Sequence, residues 1–145
     1  SGVALNTAKK RLNARRHFFL KCEAESLHPK IRQSSIDLYL SFRTYSASFL
    51  DTKRAIAEVK RVLKPGGYLI ITIPHLYYNE DGSYSTGLME SKDYGKKDEE
   101  ASETYRNIVV RTLINTLKDF EFERVQKDLS SPYEVIISAK SNLSS

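Results

Sequence analysis

The sequence predicts an α/β layered domain with a mainly parallel sheet and a C-terminal antiparallel hairpin. Three observations predict it. Apolar runs of strand length alternate with helical patterns along most of the chain. In "RVLKPGGYLIITIPH" (61–75) a basic helix end passes through Pro-Gly-Gly straight into an apolar strand. The last long helical pattern is followed by two β-type runs around Ser130-Ser131-Pro132.

Taken in order, Leu5, Ala8 and Leu12 recur at helical spacing and predict a helix from about Gly2 to Ala14. "HFFLKC" (17–22) reads as a short strand, and "HPKIRQSS" (28–35) as a loop or a single helical turn. "IDLYLSF" (36–42) is nearly continuous in apolar character and is expected to be buried on both faces. Asp51 is placed to cap a helix whose core stripe is Ile56, Val59, Val62 and Leu63. Pro65 ends that helix, Gly66-Gly67 allows the reversal, and "YLIITI" (68–73) is the next strand.

Residues 76–98 lack apolar periodicity and are rich in Gly, Ser, Asp and Tyr, the composition of a functional loop or lid. A helix follows from about Glu99 to Lys118, with Tyr105, Ile108, Val109, Leu113 and Leu117 on its apolar face. The hairpin uses "FEFERVQKDL" (120–129) and "YEVIISA" (133–139), and residues 141–145 are expected to fray.

The 145 residues suffice for one domain and one core. The longest apolar strand, Tyr68–Ile73, is far too short to span a membrane. The N-terminal pattern is that of an amphipathic helix, not of a secretory leader. A lone cysteine, Cys22, excludes an internal disulfide framework and suits a reducing, cytoplasmic setting. The net charge of +5 draws on Lys9, Lys10, Arg11, Arg15 and Arg16. That cluster reads as the basic end of a helix, favoured by its dipole. Nucleic-acid binding is the disfavoured alternative, because no aromatic residues are interleaved for stacking. Cys22, His17 and His28 have no metal-site spacing. No nucleophile elbow or phosphate loop occurs either.

In open α/β sheets, ligands gather beyond the C-terminal strand ends. Here those ends are 22–25, 41–45 and 74–78.

"SIDLYLSFRTYSASFLDTKRAIAEVKRVLKPGGYLIITIPH" resembles the central segment of class I S-adenosylmethionine-dependent methyltransferases, with "RVLKPGG" its most specific part. "FFLKCEAESL" is similar to that family's strand and acidic segment upstream, and "SGVALNTAKKRL" to the helix before it. The terminal helix and hairpin match as well. The resemblance implies a Rossmann-like methyltransferase sheet lacking its first two strands: residues 1–145 would be a single, N-terminally incomplete domain. No G-x-G-x-G occurs, and none of the glycines at 2, 66, 67, 82, 87 and 95 is placed to cradle a cofactor. The two missing strands would lie between the strand at 17–22 and that at 36–42, so self-association through the incomplete sheet is a further expectation.

The resemblance also implies S-adenosyl-L-methionine as cofactor and assigns roles. Glu23 would accept a hydrogen bond from the adenine amine, as an acceptor-only carboxylate can; Ala24 would present its N–H to the ring. Glu25 is expected in solvent. Ser41, Phe42 and Arg43 would contact the methionine part. Tyr45, His75, Tyr77 and Tyr78 would face the methyl acceptor, with His75 the candidate general base. Transfer to a good nucleophile needs only in-line positioning, so a base is not obligatory. Each residue also has a plain alternative: a solvated loop glutamate for Glu23, core filling for Phe42, a surface histidine for His75. Asp37 is expected to satisfy nearby backbone. The acceptor is an unidentified N, O or C nucleophile on a small molecule or macromolecule. A non-catalytic methyltransferase-like subunit is the rival reading; half of a nicotinamide-dependent dehydrogenase is a weaker one, disfavoured by the hairpin and "RVLKPGG".

Overall fold

The computed structural model describes residues 2–12, 16–47, 49–74, 77–78, 84–85 and 99–143. Its elements run α1 (Gly2–Arg11), β1 (Ile36–Phe42), α2 (Thr52–Val62), β2 (Leu63–Pro74), β3 (Tyr77–Tyr78), β4 (Tyr84–Ser85), α3 (Glu99–Asp119), β5 (Phe122–Asp128) and β6 (Glu134–Ser141). One sheet has the order β1-β2-β6-β5; β3 and β4 form a separate small ribbon. β1 and β2 are parallel, and the β5–β6 hairpin joins β2 antiparallel through β6.

The α2–β2 junction shows why "VLKPGG" reads as a hinge. Asp51 caps α2 by accepting from the Arg54 N–H at 3.1 Å. At the far end Leu63 leaves helical geometry while its N–H still reaches the Val59 carbonyl. The strand therefore starts at Leu63, earlier than expected, and Pro65 lies within it. Gly66 has φ +78°, a left-handed value that glycine adopts freely. At Gly67 a Cβ would meet the Lys64 and Asp37 carbonyl oxygens at 3.0 and 3.1 Å, so the bare backbone permits the close crossing.

The core lies on one face of the sheet. Ala55, Ile56 and Val59 of α2 and Val110, Leu113 and Leu117 of α3 pack on Leu69, Ile71, Ile73, Val135, Ile137 and Ala139. Each buried Leu or Ile contributes up to roughly 1.5–3 kcal/mol. Lys60 fastens α2 to the end of the hairpin: its Nζ donates to Asn142 Oδ1 at 2.8 Å and sits 5.0 Å over the Phe122 ring. Ser141 and Asn142 are thus held, so the chain end is ordered further than the sequence predicted.

Three further expectations need correction. Residues 17–22 form no strand, and Phe18 is 89% exposed. A strand needs a neighbour for its ladder, and among the described residues none stands beside this run. β1 is covered on one face only: Leu38, Leu40 and Phe42 are 47%, 49% and 64% exposed. No described element packs over that face. Asp37 is exposed and pairs with Lys64 Nζ at 2.9 Å, so it satisfies no buried backbone.

Candidate active site

The candidate cofactor residues lie on two chain segments. The first is a turn in which the Ser26 N–H donates to the Glu23 carbonyl at 3.2 Å. Glu23 is exposed, its carboxylate open to a ligand, while Ala24 is half-buried and packs against the core. Glu25, expected in solvent, accepts a hydrogen bond from the Asp51 N–H just before α2.

The second segment leaves β1. Ser41 is buried and Phe42 exposed, as strand alternation requires. The Arg43 N–H donates to the Thr72 carbonyl at 3.0 Å, and Arg43 then turns out of the sheet at φ 61°. A left-handed arginine costs on the order of 1 kcal/mol. It is held by Glu134, whose Oε1 accepts from Arg43 Nε at 2.6 Å. Glu134 opens β6 opposite Pro74, so this pair sits at the C-terminal edge of β2. The Arg43 charge is thus partly balanced by Glu134.

Tyr45 is placed in the core, 3% exposed, with its hydroxyl 3.3 Å from that of Tyr39. Burial, then the neighbouring Tyr39, pushes its phenol pKa far upward, so it stays neutral. His75 lies outside the described residues. Tyr77 and Tyr78 form β3, their backbones paired with Ser85 and Tyr84 of β4; most of the remaining loop expected at 76–98 is also outside them.

Sequence reasoning missed Thr72. It pairs with Phe42 in the β1–β2 register, is 3% exposed, and its Oγ1 has no hydrogen-bond partner. An orphaned buried hydroxyl is unusual, and this one stands at the ligand edge. An apolar-looking "IITIP" gave no signal beyond the lone threonine.

Among the described residues no cluster of three or more His, Cys, Asp and Glu could hold a metal. Nor is any helix among them long and apolar enough to cross a membrane.

Comparisons with known proteins accord with this geometry. Residues 1–71 match the family model described as a methyltransferase domain. Among solved structures, the (4+2)-cyclase SpnF aligns with 98% of this chain and 63% of its own, at 18% identity and TM-score 0.59. A protein from Listeria monocytogenes, described as an S-adenosylmethionine-dependent methyltransferase, aligns with 98% of this chain and 77% of its own, at 19% identity and TM-score 0.61. A methyltransferase of the same description from Thermotoga maritima is 28% identical over 94% of this chain and 68% of its own, with TM-score 0.56. No curated protein matches the sequence. The chain thus spans less than two thirds of the cyclase's length and about three quarters of the Listeria protein's.

The methyltransferase-domain match covers just under half of the chain, and the fold is shared with solved structures described as S-adenosylmethionine-dependent methyltransferases. Of the polar groups at these segments, the Glu23 carboxylate is exposed and the Thr72 hydroxyl is buried. The glycine-rich cradle is absent from the sequence.

Proposed function

We propose that this chain supplies the adenine side, the methionine side and the acceptor side of a methyltransferase site. The enzyme would pass a methyl group to an unidentified N, O or C nucleophile. One observation carries the reading: the methyltransferase match over residues 1–71 runs through all five cofactor candidates, Glu23, Ala24, Ser41, Phe42 and Arg43. The bound cofactor supplies an electrophilic methyl on a sulfonium. Glu23 accepts from the adenine amine, and the Ala24 N–H faces the ring. Phe42, exposed beside Thr72, covers the methionine part. Ser41 and Arg43, the latter held by Glu134, lie beside the same part, and His75, Tyr77 and Tyr78 follow β2 on the acceptor side; His75 serves as base where the nucleophile must lose a proton. The single cysteine, exposed and free, suits a reducing cytoplasmic setting.

The 145 residues lack the cradle and bind cofactor weakly on their own. Calorimetric titration with S-adenosylhomocysteine tests this, using the chain alone and the chain preceded by a glycine-rich strand–loop–helix–strand unit. Tight binding by the longer form beside weak binding by the short chain supports the reading. Tight binding by the short chain, or none by either, overturns it.

One observation favours a second reading, a non-catalytic subunit acting by association. Arg43 N–H bonds to β2, so by alternation Leu38, Leu40 and Phe42 turn their backbone groups to the other edge of β1. No described strand pairs there. A monodisperse dimer with no cofactor response would favour this reading over the enzyme.

A further inference from the structure

Residues 23–35 contain no helix and no ladder, only the isolated Glu23–Ser26 bridge. They are nevertheless fixed, and α2 does most of the fixing. Glu58 Oε2 accepts from the Leu27 N–H at 2.8 Å. The same carboxylate grips Arg61 as a fork, Oε1 to Nε and Oε2 to Nη2, both at 2.9 Å. The remaining guanidinium nitrogen, Nη1, donates to the Ile31 carbonyl at 3.2 Å. Between those two contacts lies the turn closed by Ile31 N–H on the His28 carbonyl. At the end of α2, the Arg61 and Val62 carbonyls accept from Ser34 and Ser35 N–H at 2.9 and 2.8 Å.

We infer that Glu58 and Arg61 are a positioning pair for the cofactor site: they lock the segment carrying Glu23 and Ala24 onto α2. This rests on the reading that Glu23 and Ala24 face adenine. The chemistry favours it over ordinary helix decoration. An exposed i,i+3 ion pair adds little to a helix. Here the pair is partly covered, with side chains 22% and 35% exposed, and both partners direct polar atoms at backbone groups outside the helix. A planar fork does this better than an ammonium, because one face binds the carboxylate while another nitrogen stays available. The result joins two pieces of the site. The same helix that orders residues 25–35 also packs through Ala55, Ile56 and Val59 on the sheet whose strand ends carry Ser41 to Arg43.

The test is amide hydrogen exchange by NMR on the wild-type chain and on Glu58→Ala, Glu58→Gln and Arg61→Lys. Exchange at Leu27 should quicken at least about tenfold in Glu58→Ala. Glu58→Gln, which keeps one acceptor for Leu27 but loses the charge, should fall between. Arg61→Lys should release Ile31 and shift the resonances of Glu23 and Ala24. Val59 and Val62 should keep their protection in all three. Unchanged exchange at Leu27, or equal loosening throughout α2, would overturn the inference. S-adenosylhomocysteine, added to the same samples, reads the second link. A weaker response in Glu58→Ala than in wild type supports positioning, and an equal response refutes it. No response even in wild type counts against the adenine reading, and exchange alone then decides whether the clamp exists.

Discussion

Arg43 Nε donates to Glu134 Oε1 across 2.6 Å, tying the turn that leaves β1 to the first residue of β6. The two residues are far apart in sequence and meet because β2 separates their strands by one position in the sheet. Arg43 is 56% exposed, so the pair is screened and contributes less than about 1 kcal/mol. Glu134→Gln should therefore lower stability by under about 1 kcal/mol in urea denaturation, and by less still at high salt. A loss above about 3 kcal/mol would mean the pair is effectively buried.

The Glu58 carboxyl is held below its ordinary value of 4.5, first by the Arg61 hydrogen bond, and burial opposes this only in part. A lowered folded pKa stabilises the protein above the unfolded value and loses that contribution as pH falls through the folded value. Thermal midpoints should accordingly drop as pH falls from about 5, with a shallower slope in Glu58→Gln. Asp128, lowered by Ser130, adds to the same slope and remains in the variant. Identical slopes in the two proteins would remove Glu58 from the acid response.

Thr72→Val replaces an unpartnered buried hydroxyl with a methyl. Without ligand it should raise stability by about 1 kcal/mol, because no hydrogen bond is lost and a desolvated polar group is removed. In a form that binds S-adenosylhomocysteine, the same variant should bind more weakly if the hydroxyl meets the ligand. Lower stability of Thr72→Val would show that Oγ1 has a water partner.

Gly67→Ala should destabilise by about 1 kcal/mol or more, since its Cβ meets two backbone carbonyls held in place by the strand junction. Gly66→Ala should cost about 1 kcal/mol through its left-handed φ. Chemical denaturation of both variants checks the hinge.

The two faces of the sheet should respond oppositely. Leu113→Ala, in the core, should cost roughly 2–5 kcal/mol. Leu40→Ser, on the open face, should change stability by under about 0.5 kcal/mol and reduce any self-association. Sedimentation beside denaturation measures both effects.

These cases also show what local sequence carries. The α2 stripe, Asp51 and Pro-Gly-Gly were legible because caps, periodicity and glycine act within a few residues. "HFFLKC" has a strand's composition, but composition is silent on whether a neighbouring strand exists to pair with it. Leu38 and Leu40 misled for the same reason: an apolar run foretells burial only where something covers it. Tyr45 reads as a loop residue after a strand, and only the fold shows its ring in the core beside Tyr39. Glu58 and Arg61 went unread in the sequence, because Leu27 and Ile31, their partners about thirty residues upstream, belong to tertiary structure.

The most direct measurement is a titration of the isotopically labelled chain with S-adenosylhomocysteine, followed by amide NMR. The account predicts shifts confined to residues 23–26 and 41–43 and a dissociation constant of about 1 mM or weaker, roughly −4 kcal/mol. Tight binding would contradict the account, as would shifts centred on the basic end of α1 or no shifts at either segment.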